Sequence, residues 1–192
     1  MTSLRKELAK AINNEVFDVT EGGIYFPVQG VKASGEYIER VNGGDWDVTS
    51  NLIVTEGLAH MLNVAFGSSP KPSGYFLALF SGTAAPAPGW TAASFAATAN
   101  EISSMTEGYT SPTRPAWTSV NTNTSSIDNM ATVASVTFAT ASELTVTGAA
   151  MLTNSTRGGT TGALISATKY ASERKFQDGD TYDIGYRISL TV

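Results

Sequence analysis

The chain contains no cysteine, which excludes disulfide bonds and thiolate metal sites. Only 15% of its 192 residues are charged, whereas about 25% is typical of soluble domains. Lys and Arg are scattered and the formal net charge is −5, so the sequence lacks a basic stripe that could neutralise a row of phosphates. We therefore expect no binding to nucleic acid, and we expect stability to come from packing and assembly.

Histidine occurs once, as His60, and the chain has no Gly-x-Ser-x-Gly elbow. A catalytic triad needs a nucleophile and an orienting acid beside the histidine, and a zinc site would need further ligands. The acidic clusters "NGGDWD" and "QDGDTYD" are more typical of Asp-Gly turns than of calcium loops. We expect no enzyme activity, no metal and no cofactor, and we interpret His60 as a helix-surface or interface residue.

Long apolar runs are also missing. No uninterrupted stretch approaches the roughly 20 residues of a membrane-spanning helix. The first ten residues, "MTSLRKELAK", have no apolar stretch behind their positive charges, so we expect no secretory signal. These patterns favour a soluble protein that is made in a cytosol and does not enter a membrane.

Thr, Ser, Ala and Gly take the place of the missing charge, a composition that suits short β-strands joined by many turns. The stretch "GYFLALFSG" at 74–82 is almost continuously apolar, as expected of a strand that is covered on both faces. The last stretch, "TYDIGYRISLTV", predicts a half-buried antiparallel strand. Its apolar residues alternate with polar or small ones: Tyr182, Ile184, Tyr186, Ile188 and Leu190.

One short helix is predicted, at about 55–66 within "NLIVTEGLAHMLNVAF". Thr55 can cap its start, and Gly67 can end it. Four apolar residues share one face, which we expect to point inward: Leu58, Met61, Leu62 and Ala65. The Ala-, Pro- and Thr-rich stretch 83–100 lacks a period, so it is interpreted as a surface excursion, and no second helix is visible in the core region.

Residues 1–48 are predicted to form an extended N-terminal arm, and residues 49–192 an antiparallel β-sandwich or jelly roll. In the arm, a thin helical stripe of Leu4, Leu8 and Ile12 precedes a short edge strand containing Tyr25 and Phe26. Such an arm needs a neighbour, so these five residues are interface candidates. The alternative that this region is the ordinary first hairpin of the main fold stays open.

A further interface candidate is the segment "YTSPTRPAWTSV". It combines Tyr109, Arg114 and Trp117, and residues of these types are enriched at binding hot spots. The alternative is a loop that packs over the end of the sandwich, with Arg114 bonded to backbone carbonyl groups.

Three segments together resemble a group of tailed-bacteriophage virion proteins. They are "NLIVTEGLAHMLNVAF" followed by "GYFLALFSG"; then "GYTSPTRPAWTSV…IDNMATVASVTF"; then "TVTGAAMLTNSTRGGTTGALISAT…DGDTYDIGYRISLTV". The resemblance covers roughly residues 49–192 and is a diffuse pattern without a catalytic signature.

What the resemblance implies is a non-enzymatic structural protein of the virion, in the first place a capsid cement or decoration protein. Its partners would be the major capsid protein and further copies of itself, as a dimer or trimer, on the capsid surface after assembly in the host cytoplasm. One alternative is a tail, baseplate or fibre-associated protein. A second is a carbohydrate-binding β-sandwich module, for which Trp46, Trp90 and Trp117 could provide an aromatic platform.

Overall fold

The computed structural model describes residues 18–19, 25–26 and 30–191 of the chain. Contacts divide the chain into a small unit, which extends to Lys32 and resumes at Leu190, and a larger unit from Ala33 to Ser189. In the small unit, β1 (Asp18–Val19) and β2 (Tyr25–Phe26) form an antiparallel ladder.

The other strands are β3 (Lys32–Val41), β4 (Asp47–Ser50), β5 (Leu52–Ile53), β6 (Tyr75–Phe80), β7 (Gly108–Tyr109), β8 (Ala116–Trp117), β9 (Ser126–Asp128), β10 (Ala134–Ala139), β11 (Leu144–Leu152), β12 (Leu164–Phe176) and β13 (Thr181–Thr191). The helices are α1 (Thr55–Ala65) and α2 (Ala92–Ala99), and a single 3₁₀ turn covers Met130–Thr132. Strands account for 43% and helices for 14% of the structure, so the prediction of a mainly β protein is confirmed.

The strands form two antiparallel sheets. One has six strands in the order β4-β3-β13-β10-β7, with β9 pairing with β13, and the other has five in the order β5-β12-β11-β6-β8. Inward side chains of both sheets make one apolar core, in which Tyr37 and Tyr186 of the first sheet join Leu79 and Met151 of the second. This arrangement is the predicted antiparallel β-sandwich.

The strand β6 is covered on both faces, as its continuous apolar sequence predicts. Leu77 and Leu79 belong to the core between the sheets. Ala78 and Phe80 point the other way, into a second apolar cluster on the outer face of the five-stranded sheet. All four side chains are fully buried, because successive residues of a strand point to opposite faces.

The second cluster is closed by α2, which the sequence analysis did not predict. The segment 83–100 is therefore only in part a surface excursion. Thr91 forms a capping box with Ser94 at the start of α2, and the buried side chains of Trp90 and Phe95 lie edge-on or tilted around Phe80, with ring centroids 6.3 Å and 6.0 Å from it. Such a short helix in an Ala-rich stretch has a weak apolar pattern, so packing decides its formation.

The helix α1 lies where predicted, but the prediction of its inward face holds only for Met61, which is half buried. The N-cap position is Val54, without a side-chain cap, and Thr55 is the first helical residue. Leu58 and Leu62 point to solvent, with 43% and 59% of their surface exposed. Besides Met61, the half-buried residues of the helix are Glu56, His60 and Val64.

Gly57 explains this orientation of α1. It is the buried residue of the helix, and a Cβ atom there would lie 2.1 Å from the carbonyl oxygen of Ile165. The helix therefore approaches the backbone of β12 along its glycine. That contact turns Leu58 and Leu62 away from the sheet.

The final strand follows its predicted alternation for most of its length. Tyr182, Ile184 and Tyr186 are fully buried, whereas Leu190 is half exposed near the end of β13. The "QDGD" segment before it is the predicted turn, with Gly179 at a φ of +83° and the backbone N–H of Gln177 donating to Asp180 Oδ2 over 2.6 Å.

The predicted boundary between arm and sandwich lies too far along the chain. Residues 33–48 belong to the larger unit, where β3 pairs with β4 and Tyr37 is fully buried. Tyr25 and Phe26 are described as the strand β2. The interface candidates Leu4, Leu8 and Ile12 lie outside the described residues, so the arm stays a prediction. Among the residues that the structure describes, no helix has the length and apolar character needed to cross a membrane.

The contact between α1 and β12 can be tested by Gly57→Ala. In an exposed helix this change stabilises by about 1 kcal/mol, but here the added methyl group meets the Ile165 carbonyl. We expect a loss of about 1–3 kcal/mol, the usual cost of overpacking, in denaturant unfolding. Asn63→Ala, at an exposed position of the same helix, is the matched control and is expected to stabilise slightly. A stabilising Gly57→Ala would contradict the close approach.

Candidate functional site

The interface candidate Arg114 is fully buried beside Glu101. Its Nε and Nη2 donate to Glu101 Oε1 and Oε2, each over 2.7 Å, and the two side chains are 0% and 1% exposed. A two-pronged pair of this kind satisfies both carboxylate oxygens at once. A buried charge is tolerated only when it is paired and hydrogen-bonded.

The remaining hydrogen bonds of this pair join distant loops. Arg114 Nη1 donates to the Asn154 carbonyl over 2.8 Å, and the backbone N–H of Gly158 donates to Glu101 Oε2 over 3.0 Å. The ion pair therefore ties the segment just after α2 and the loop between β11 and β12 to the segment before β8. This is the alternative left open by the sequence, in which Arg114 is bonded to backbone carbonyl groups.

Tyr109 is buried in the same region. The guanidinium carbon of Arg157 lies 3.7 Å from the centroid of its ring, and Arg157 Nη1 donates to the Tyr109 carbonyl over 2.8 Å. Burial raises the pKa of the Tyr109 hydroxyl to about 12, so the ring stays neutral. Glu101, Tyr109, Arg114 and Arg157 are called the arginine cluster below. The prediction that Tyr109 and Arg114 form an interface is wrong, because both side chains are buried within the chain.

The third residue of that segment, Trp117, is half buried at the wall of a cavity. Its Nε1 donates to the Tyr186 carbonyl over 2.8 Å, and its ring lies edge-on to Tyr75 with centroids 5.9 Å apart. Whether Trp117 contacts a partner stays a prediction. Its observed contacts are internal.

The cavity that Trp117 lines has a volume of about 510 Å³ and lies between the two sheets, next to α1. Side chains of both sheets and of α1 form its wall, and we call it the aromatic cavity. The wall residues used below are Met61, Tyr75, Trp117, Met151, Tyr186 and Ile188. A pocket of this size with mostly apolar walls is typical of sites that bind small molecules.

His60 lies against the outside of this wall and does not form a catalytic pair. Its Nε2 is 3.2 Å from the Tyr75 hydroxyl, and burial lowers the pKa of the imidazole. The carboxylate nearest to it along the helix, Glu56, accepts the backbone N–H groups of Ala92 and Leu164, each over 2.7 Å. Glu56 therefore links α1 to α2 and β12.

The buried carboxylates in the described part of the chain, Glu39 and Glu101, are engaged in structural contacts. Besides Glu101, Glu39 is buried and accepts a hydrogen bond from Arg174 Nη2 over 2.7 Å. It also accepts a hydrogen bond from the Tyr182 hydroxyl. Within the described ranges of the chain, no group of three or more His, Asp or Glu residues is placed to hold a metal ion.

The three tryptophans do not share a face. Trp90 is buried in the outer cluster beside α2, Trp117 lies at the aromatic cavity, and the partly exposed Trp46 stacks against Arg40, whose guanidinium carbon is 4.3 Å from its ring centroid. They therefore form no common aromatic platform, which removes the observation on which the carbohydrate-binding alternative depends.

The outward face of α1 is a feature that the sequence analysis missed. Leu58, Leu62 and Phe66 follow one another at helical spacing, and Phe66, just after the helix, is 88% exposed. The exposed residues of α1 include no charged side chain. We call these three residues the α1 face. The signal that could have revealed it is Gly57, since a glycine inside a helix can mark a close approach to another backbone.

Comparisons with known proteins do not assign the chain to a family. The chain matches no protein-family model, and no curated protein matches it. A function must therefore be argued from its residues and geometry.

The arginine cluster can be tested by breaking its ion pair. Arg114→Met and Glu101→Gln each leave a buried partner unpaired, so we expect each to lower the free energy of unfolding by about 3–5 kcal/mol. The double variant should lose less than the sum, because it leaves neither charge unpaired. Denaturant unfolding in a double-mutant cycle measures this coupling.

The matched control for this cycle is the exposed pair of Lys175 and Glu143, with 2.7 Å between its charged atoms. Lys175→Met is expected to change stability little, because surface ion pairs are screened by solvent. Additive losses for Arg114 and Glu101 would contradict a coupled buried pair.

His60 offers a direct test because it is the chain's single histidine, so one imidazole signal titrates in an NMR spectrum. Burial disfavours the charged ring, and we expect its midpoint below the value of about 6.5 for a solvated imidazole. The unfolded chain then binds the proton more readily, so this contribution to stability is complete above about pH 6.5 and declines as the pH falls towards the folded pKa. A midpoint at or above the solvated value would contradict the burial of His60.

Proposed function

We propose that the chain is a non-enzymatic structural protein of a tailed-phage particle that binds the outer capsid surface and stabilises contacts between capsomers. Two observations support this: the resemblance over residues 49–192, and an uncharged apolar face on α1 that the described residues of the chain leave uncovered. The second observation carries the proposal. It is a property of the fold that an interaction with another subunit would explain.

The α1 face has the properties of a docking surface. Leu58, Leu62 and Phe66 project from one side of a helix, where a neighbouring subunit can cover them together. Burial of apolar surface contributes about 25 cal/mol for each Å² removed from water. Exposed apolar side chains that lie next to one another are typical of sites that bind other proteins.

The electrostatics of the chain support a structural role. Glu39 and Glu101, the buried carboxylates of the described chain, are bonded to arginines, and Glu56 holds two backbone N–H groups. A general acid or base needs a proton that it can exchange with a substrate. These carboxylates are instead held in contacts within the fold.

The mechanism of such a protein is thermodynamic linkage. A protein that binds the assembled shell, and not its separated subunits, shifts the equilibrium towards the shell by mass action. A sandwich with a continuous core keeps the docking face in place, so little ordering free energy is lost on binding. Binding across the boundary between two capsomers would then resist their separation.

A binding experiment with purified shells tests the role of the α1 face. Full-length protein is mixed with shells that lack it, and bound copies are measured after sedimentation. We expect Leu62→Asp and Phe66→Asp to weaken binding at least about tenfold, because each places a charge in a dry contact, a loss of about 1.4 kcal/mol or more. Both positions are exposed, so the free protein should keep its stability.

The matched control is Val120→Asp, at another exposed apolar position, which should bind like the unmodified protein. Equal binding by all variants would contradict the role of the α1 face. The number of copies in native particles separates the head from the tail. A count in proportion to the major capsid protein supports the proposal, whereas a few copies at one vertex would favour the tail, baseplate or fibre alternative.

A further inference from the structure

Three polar groups in the inner wall of the aromatic cavity are bonded within the protein. The Tyr75 hydroxyl contacts His60 Nε2, and Trp117 Nε1 donates to the Tyr186 carbonyl. The Tyr186 hydroxyl accepts from Asn51 Nδ2 over 3.0 Å. Together with the apolar side chains of Met151, Ile165 and Ile188, these internal contacts make the inner wall largely apolar. Because an unpaired polar group in such a place is costly, the inner part of an occupant must be apolar.

Part of the main chain around the cavity is occupied by the pairing of β6 with β8. Tyr75 pairs with Trp117 and Phe76 with Ala116 across β6 and β8. The carbonyl of Pro115 accepts the backbone N–H of Leu77 over 2.8 Å. A peptide bound in extended form needs free main-chain partners at a strand edge. Where β6 and β8 pair, their main-chain groups are not free for a peptide, so this part of the wall favours an occupant without amide groups, such as an aliphatic chain.

The rim of the cavity has a different chemistry. Lys71 is exposed there and is the charged residue among the lining side chains, beside the hydroxyl groups of Ser73, Thr118 and Ser119. An ammonium group with neighbouring hydroxyls favours an anion. The flexible side chains of Met61 and Met151 line the apolar part, where thioethers adapt to the shape of an alkyl chain.

We propose that the aromatic cavity binds an anionic amphiphile, a molecule with one aliphatic chain and one acidic head group. The chain lies among Trp117, Met151 and Ile188, and the head group lies at the rim near Lys71. The volume of about 510 Å³ is within the usual range for small-molecule pockets, about 300–1,000 Å³. This site is independent of the proposed structural role, because the α1 face does not line the cavity.

Calorimetric titration of the full chain with decanoate, below its micelle concentration, tests the site. We expect saturable binding of one decanoate per chain. Decyltrimethylammonium has the same tail with the opposite charge, so it should bind more weakly. Lys71→Gln should weaken decanoate binding about two- to fivefold, as expected for a solvent-exposed ion pair, and should leave the binding of uncharged 1-decanol unchanged. No saturable decanoate binding, or equal binding of both charged amphiphiles, would overturn the proposal.

A second pair of variants locates the ligand. Ile188→Trp fills the cavity with a larger side chain and should abolish binding. Leu190→Trp introduces the same residue two positions along β13 at an exposed site that does not line the cavity, and should bind like the unmodified chain. Equal decanoate affinity for both would place the ligand elsewhere and overturn the proposal.

Fluorescence quenching locates the ligand without a substitution that fills the cavity. Decanoate brominated near its methyl end should quench Trp117, whose ring forms part of the cavity wall. Trp117→Phe should remove most of the quenching and keep saturable binding by calorimetry. Undiminished quenching in Trp117→Phe would mean that the ligand lies near another tryptophan, which would contradict the assignment.

Discussion

The buried ion pair of Arg114 and Glu101 is the interaction on which one end of the sandwich depends. A chain with no cysteine cannot fix its loops with disulfides. Three loops are held together through one guanidinium and one carboxylate, both fully buried. Because neither charge is tolerable alone in this environment, the loops must meet in one arrangement. Arg157 then packs on Tyr109 in the same cluster.

This use of charge bears on function. Carboxylates could in principle serve as general acids or bases. Glu39, Glu56 and Glu101 instead hold arginines or backbone N–H groups in place. His60, in the middle of α1, contacts the Tyr75 hydroxyl. Two features of the described residues can receive other molecules, the α1 face and the aromatic cavity, and both are largely apolar. That division is typical of a protein that works by binding, and our proposal for its role in a particle rests on it.

The sequence predicts those parts of the fold that depend on local pattern. β6 and β13 follow from the alternation or continuity of their apolar residues, and the sandwich follows from many such strands. The face of α1 depends instead on Gly57 meeting Ile165, a contact between residues far apart in the chain. The burial of Arg114 likewise depends on Glu101, Asn154 and Gly158, which no local pattern connects. The aromatic cavity is a product of how two sheets meet, so no single segment could reveal it.

A cryo-electron microscopy map of the native particle tests the central claim most directly, because it reports location and contacts together. The account predicts density for the sandwich on the outer surface of the shell, repeated with the capsomers. In that density, Leu62 and Phe66 of α1 should be covered by a neighbouring subunit. A map that places the protein in the tail, or that leaves the α1 face exposed to solvent on the shell, would contradict it.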